Sequence, residues 1–152
     1  MAELPRTIKI RNDEMTYRAY GYETGGIYSL IEMTIGPGGG PPVHVHADDD
    51  ESFLVLEGRF LVIRGDEQRE VGPGDYVYGP RGVPHGFTNI GATPGRLLIV
   101  DSPPRIEGYF RELSEHSVAG SLNRVVQEAL YAKYGMAWVA PPLQVRSAAF
   151  YS

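Results

Sequence analysis

The sequence predicts an all-β fold, a sandwich or barrel of short strands, and three observations lead to that prediction. Glycine and proline are both abundant, 19 and 12 of 152 residues, and each punctuates local structure. The first hundred residues break into short stretches rich in β-branched and aromatic residues, with turn chemistry between them and no helical periodicity. Phe53–Leu56, Phe60–Ile63 and Leu97–Val100 are apolar at every position, a pattern expected of strands covered on both faces.

In chain order the expected strands are Thr7–Ile10, Met15–Tyr22, Ile27–Ile35, Val43–His46 and Ser52–Leu56. Arg59–Arg64, Glu67–Val71, Tyr76–Tyr78, His85–Ile90 and Arg96–Val100 follow. The breaks are Thr24-Gly25-Gly26, the run from Gly36 to Pro42, Gly65-Asp66, Gly72-Pro73-Gly74-Asp75 and Gly79-Pro80-Arg81-Gly82. Glycine there supplies positive φ and proline removes a ladder donor, so these positions suit corners. Helix is expected only after residue 108. Tyr109–Ser114 allows one or two turns, and Ser121–Tyr134 is clearer, with Ser121 as cap and Gly135 as terminator. Leu122, Val125, Val126, Ala129 and Leu130 would form its apolar face. An extended tail, Met136–Val145, closes the pattern. The chain thus reads as one domain over 1–152, with a barrel at about 7–101 and a C-terminal helix and tail at about 109–150. The outer faces of the apolar strands need a cover, either the C-terminal helix or a second subunit, and a homodimer is expected.

Composition narrows the function. With 42% hydrophobic and 22% charged residues the chain is globular, and no apolar run could span a membrane. The opening MAELPRTIKIRN has no apolar core of a signal peptide, so a cytoplasmic location is expected. A formal charge of −5, with 14 Lys and Arg scattered among acids, argues against a nucleic-acid partner. There is no cysteine, so any metal must be held by nitrogen and oxygen donors.

Such donors are present. His44 and His46 lie two apart on an expected strand and project from one face, which lets two imidazoles converge on one ion. Glu51 follows a short acidic loop, and a closed barrel would bring His85 opposite. Taken alone, the His-x-His pair equally fits two hydrogen-bonded, half-buried histidines. The surrounding residues decide between these readings. The first segment reads Gly38-x5-His44-x-His46-x4-Glu51-x6-Gly58, and the second Gly74-x5-Pro80-x-Gly82-x2-His85-x3-Asn89. By average residue usage the first pattern arises by chance at on the order of one in a million positions.

These segments resemble the two signature motifs of the cupin superfamily at every fixed position. The resemblance implies a jelly-roll, double-stranded β-barrel whose interior holds one divalent ion, with His44, His46, Glu51 and His85 as ligands. It also implies turn roles for Gly58, Gly74, Pro80 and Gly82, while Asn89 is expected to fix a loop. Three imidazoles and one carboxylate leave the ion with net charge near +1 and two open positions, which suits a chelating monoanion. Fe, Mn, Ni, Co and Zn all suit such donors.

By strand parity Phe53 and Val55 share the face of Glu51, and Phe87 that of His85. With Phe60 or Leu61 they would make an apolar substrate pocket, or simply ordinary core. Asp48-Asp49-Asp50 reads as a solvated loop. Tyr28, Tyr76 and Tyr78 read as packing residues, His116 as a surface or capping histidine, and Arg81 as a residue near the pocket rim. The stretch Pro103–Leu113 is similar to the segment after the barrel in quercetinase-type dioxygenases. That resemblance implies a small aromatic or enolisable substrate, dioxygen chemistry, and a second role for Glu51 as catalytic base. A non-redox cyclase or isomerase, and a small-molecule-binding sensor, are the alternatives.

Overall fold

The structure, a computed structural model, describes residues 3–143. Two antiparallel sheets face each other across one core, the jelly-roll arrangement expected from the sequence. The first sheet has the order β1-β2-β3-β10-β5-β8. Its strands are β1 Thr7–Ile10, β2 Asp13–Ala19, β3 Ser29–Ile35, β5 Asp50–Glu57, β8 Tyr76–Gly79 and β10 Gly95–Ser102. The second has the order β11-β4-β9-β6-β7, from β4 Val43–His46, β6 Phe60–Arg64, β7 Glu67–Val71, β9 His85–Asn89 and β11 Met136–Ala140.

Alternation along each strand sends one set of side chains into the space between the sheets. Glu51, Phe53 and Val55 point inward from β5, and Leu97, Ile99 and Asp101 from β10. Phe60, Val62 and Phe87 meet them from the second sheet. Each such apolar side chain contributes roughly 1.5–3 kcal/mol by leaving water. The outward residues Leu54, Leu56, Leu98 and Val100 are only half-buried, so the continuous apolar runs are covered on one face rather than two. Asn89 fixes its loop as expected: its amide donates to the Ile35 and Thr93 carbonyls at 2.9 and 3.0 Å, and its Oδ1 accepts from Gly91 N.

Several boundaries differ from expectation. β2 stops at Ala19, because a 3₁₀ turn at Gly21–Glu23 follows, closed by the Glu23 carboxylate on Tyr20 N at 2.8 Å. Helix α1 runs over Ile106–Ala119, far beyond Tyr109–Ser114. Its start is stabilised by Asp101 Oδ2, which accepts from Ile106 N at 2.9 Å, and its end by Gly120 at φ 73°. No adjacent side chain supplies the cap, so local sequence patterning could not reveal this beginning. Helix α2, Arg124–Lys133, is capped by Asn123 Oδ1 on Val126 N at 2.9 Å, not by Ser121. Its buried face is Gln127, Leu130 and Tyr131, whereas Val125 is 75% exposed.

The tail does more than extend. β11 pairs with β4, setting Met136 opposite His46 and Trp138 opposite His44, while the tail beyond Leu143 lies outside the described residues. The helices pack chiefly on β1 and β11, and therefore do not cover the outer faces of β5 and β10.

Candidate metal centre

β4 and β9 are paired with His44 opposite His85, and β5 carries Glu51 across the core from them. His46, two residues after His44, faces the same interior. The ring centroids lie 4.6–5.1 Å apart. One donor atom from each of His44, His46, Glu51 and His85 falls within 4.8 Å of all the others, and none of the four residues is more than 5% exposed.

The outer ring nitrogens show how the imidazoles are oriented. His44 Nδ1 lies 2.7 Å from Pro42 O, His85 Nδ1 3.2 Å from Val83 O, and His46 Nδ1 2.8 Å from Asp49 Oδ2. Carbonyl and carboxylate oxygens only accept, so each Nδ1 carries the hydrogen and each Nε2 is left to face the centre. His46 Nε2, His85 Nε2 and Glu51 Oε2 are buried there without a hydrogen-bond partner. His46 Nε2 and Glu51 Oε2 approach to 3.1 Å, a close contact without hydrogen-bond alignment. Orphaned donors of this kind are costly unless a cation takes them up. A divalent ion therefore fits the residues present.

The electrostatics agree. Burial, then the neighbouring His85 and His46, hold His44 down to about 3, and burial likewise lowers His85. For His46 burial opposes charge, but Asp49 and Glu51 outweigh it and raise the group to about 10. Burial would raise Glu51, yet contact with His46 and the other histidines brings it to about 2. Without an ion, one imidazolium proton balances Glu51. A divalent ion would replace that proton and leave three neutral imidazoles.

Asp49 corrects the sequence reading. Of the three aspartates only Asp48 and Asp50 face solvent as expected, pairing with Arg105 at 3.5 Å and Arg81 at 3.2 Å. Arg81 is thereby tied to the loop rather than held toward the cavity. Asp49 is 1% exposed and holds His46 from behind. Asp101 lies against the same group, its carboxyl pushed up to about 10 by burial and then by Asp49. Such outer carboxylates orient ligating histidines and sharpen metal affinity. The burial of Asp101 was foreshadowed only by its inward parity on β10, beside Leu97 and Ile99.

An apolar cavity of about 80 Å³ opens from this cluster. His44, Glu51 and Phe87 line its inner end, and Tyr109, Gln127 and Tyr131 of the helices form its roof. Tyr131 stacks on His44 at 5.4 Å and on Tyr109 at 5.0 Å, and Gln127 Nε2 donates to the Tyr109 hydroxyl at 3.1 Å. Phe53, Val55 and Phe60 share the inward faces but pack in the core, where Phe53 and Phe60 both meet the Phe87 ring. Tyr28, Tyr76 and Tyr78 are exposed, away from the cavity. His116 sits in the last turn of α1 with its Nδ1 2.8 Å from Ser121 Oγ. The tyrosine roof escaped the sequence reading because the buried face of α2 is rotated from the expected one. Leu122, Val126 and Leu130 pack on the core as expected, but Gln127 and Tyr131 are buried beside them in place of Val125 and Ala129.

Residues 31–101 match the cupin domain family, and this span contains all four converging side chains. The chain belongs to the cupin superfamily. It is 37% identical over 76 residues to an uncharacterized protein of Methanocaldococcus jannaschii, covering 50% of this chain and 61% of that one. It is 35% identical over 72 residues to quercetin 2,3-dioxygenase of Bacillus subtilis, covering 47% and 21%. This cupin thus spans less than two thirds of either relative's length. Among solved structures, a protein of Thermus thermophilus is 34% identical with TM-score 0.50, covering 52% of this chain and 75% of that one. The polyketide cyclase RemF of Streptomyces resistomycificus is 26% identical with TM-score 0.55, covering 68% and 80%. No helix among the described residues is long and apolar enough to cross a membrane.

Proposed function

We propose that this cupin is a metal-dependent enzyme acting on a small aromatic or otherwise enolisable substrate, with dioxygenation of the quercetinase kind as its reaction. One observation carries the reading. Three imidazole Nε2 atoms and the Glu51 carboxylate converge at the inner end of an apolar cavity roofed by stacked tyrosines. When bound, a divalent ion would act as a Lewis acid toward deprotonated substrate oxygens. Phe87 and Tyr131 would hold a flat substrate between them, and the helical roof would exclude water. Glu51 is the cavity-lining carboxylate of the cluster, placed to accept the proton that an enolic or phenolic hydroxyl gives up. Its low value reflects His46 as an imidazolium. With a divalent ion in place of that proton Glu51 would likewise stay an ionised carboxylate, so it would take up a proton only after swinging off the ion.

The similarity to quercetin 2,3-dioxygenase supports oxygen chemistry. The similarity to RemF covers more of both chains and supports a second reading, a non-redox cyclase or isomerase. The cavity is smaller than the ~300–1,000 Å³ common for drug-sized ligands. A flavonol would require the helical roof to part, so smaller chelators are the better first candidates.

The test is metal analysis of protein purified without chelators, followed by oxygen-electrode assays with catechols, small diketones and flavonols. Oxygen uptake lost in His44→Ala and Glu51→Ala supports the dioxygenase. Turnover in an anaerobic cell would replace it with the non-redox reading. Failure of every divalent metal to copurify or rebind would remove both.

A further inference from the structure

The solvent end of the cavity carries one residue that the reading above does not use. Arg11 lines the cavity wall but is exposed, whereas His44 and Glu51 at the inner end are buried. It occupies the two-residue turn between β1 and β2, where Ile10 pairs with Asp13. Its φ is 54°, the left-handed region, and no other non-glycine residue among those described adopts positive φ. A glycine would fit there without cost, and an arginine does not. The turn is also pinned to the roof, because Arg11 N donates to Ser117 Oγ of α1 at 2.6 Å.

The guanidinium is available. Most arginines are held in ion pairs, as Arg6 is by Glu23 and Arg96 by Glu57, but Arg11, like Arg69 and Arg111, makes none among the described residues. It lies close enough to the phenols of Tyr109 and Tyr131 to oppose the rise that burial gives both. The other charged group on this part of the wall is Asp13, whose Oδ1 accepts from Gly36 N at 3.1 Å and which also senses Arg11. A strained backbone position holding an unpaired cation beside a ligand cavity is a pattern found where binding compensates local strain.

We infer that Arg11 is the specificity-determining residue of the cavity, and that the substrate carries a carboxylate or similar anionic group at the end remote from its chelating oxygens. This rests on the metal-centred reading above. The substrate class then narrows from any enolisable compound to an enolic or phenolic acid. One end would meet an ion of local charge near +1 and the other a guanidinium, which can take a carboxylate through two parallel N–H donors.

The experiment is calorimetric titration of the zinc-loaded protein with catechol and with 3,4-dihydroxybenzoate. The two share chelating oxygens and differ only by the carboxylate. The wild type is expected to prefer the benzoate by about tenfold, the size of one charge-assisted contact. Arg11→Gln should bring the two affinities together while leaving catechol unchanged. Asp13→Asn should widen the preference. Arg11→Gly should abolish it with an equal or higher Tm, because glycine relieves the turn, whereas a merely structural Arg11 would show no change in ligand preference. Equal binding of both probes by the wild type, or a preference retained in both Arg11 variants, overturns the inference and leaves the metal-centred reading intact. Binding of neither probe by the zinc-loaded wild type overturns both.

Discussion

Each histidine of the centre is oriented by an acceptor behind it, and only His46 has a carboxylate in that role. Asp49→Asn removes the charge while keeping the shape, and is expected to weaken divalent-metal affinity about 10- to 100-fold. Competition against a chromophoric chelator measures this, and unchanged affinity would reduce Asp49 to a packing residue. The same contacts give chelator-treated protein a defined pH dependence. His46 is raised from 6.5 to about 10, so its contribution is full below 6.5 and is lost as pH climbs toward 10. Asp101, raised from 3.8 to about 10, acts in the same direction. His44, lowered from 6.5 to about 3, and His85, also lowered by burial, act oppositely, and together they outweigh Asp101 as pH falls below 6.5. Thermal melts of the metal-free protein should therefore peak near pH 6.5 and decline on both sides. Zinc should flatten the alkaline limb, because the ion takes the place of the His46 proton. A Tm that rises from pH 7 to 9 without metal would contradict this assignment.

At the level of elements, two features hold the site together. The loop before β4 crosses β9 so closely that a Cβ at Gly40, where φ is 151°, would stand 1.9 Å from Phe87 O. Gly40→Ala is expected to cost more than about 3 kcal/mol in urea unfolding, with loss of metal affinity as β4 and β9 separate. The second feature is α2, which places Tyr131 against His44. Tyr131 is the largest of the fully buried side chains, and its replacement by alanine should cost roughly 3–5 kcal/mol and enlarge the cavity. Bulky chelators that the wild type admits poorly, flavonols among them, should then bind more tightly to the zinc-loaded variant. If they do not, the roof is not what limits ligand size.

For the whole molecule, the outer face of the first sheet is the feature left without a cover among the described residues. Leu54, Leu56, Leu98 and Val100 are half-buried there, and Tyr76 and Tyr78 stand exposed on the edge strand β8. The helices pack chiefly elsewhere, so a second copy of the chain is the cover we expect. Light scattering should give twice the monomer mass for the wild type and a monomer for Leu98→Glu, with metal binding retained. A wild-type monomer at tens of micromolar would remove the idea.

The strands, their corners and the four converging donors were legible in the sequence, because turn residues, two-residue alternation and fixed spacing are local properties. His44 and His46 share a face by period alone, and the glycines and prolines mark where the chain must turn. Asp49 was not legible, since an aspartate between two others is the ordinary composition of a solvated loop. Nor were the start of α1, which depends on Asp101, or the inward face of α2, which depends on what lies beneath it. Those features arise from contacts between distant segments. Sequence by itself determined the sheet fold and the donor set, and tertiary structure decided what surrounds the donors. The physical reason is burial: spacing says which side chains share a face, but only the packed chain says which carboxylate loses its water and which tyrosine closes the cavity.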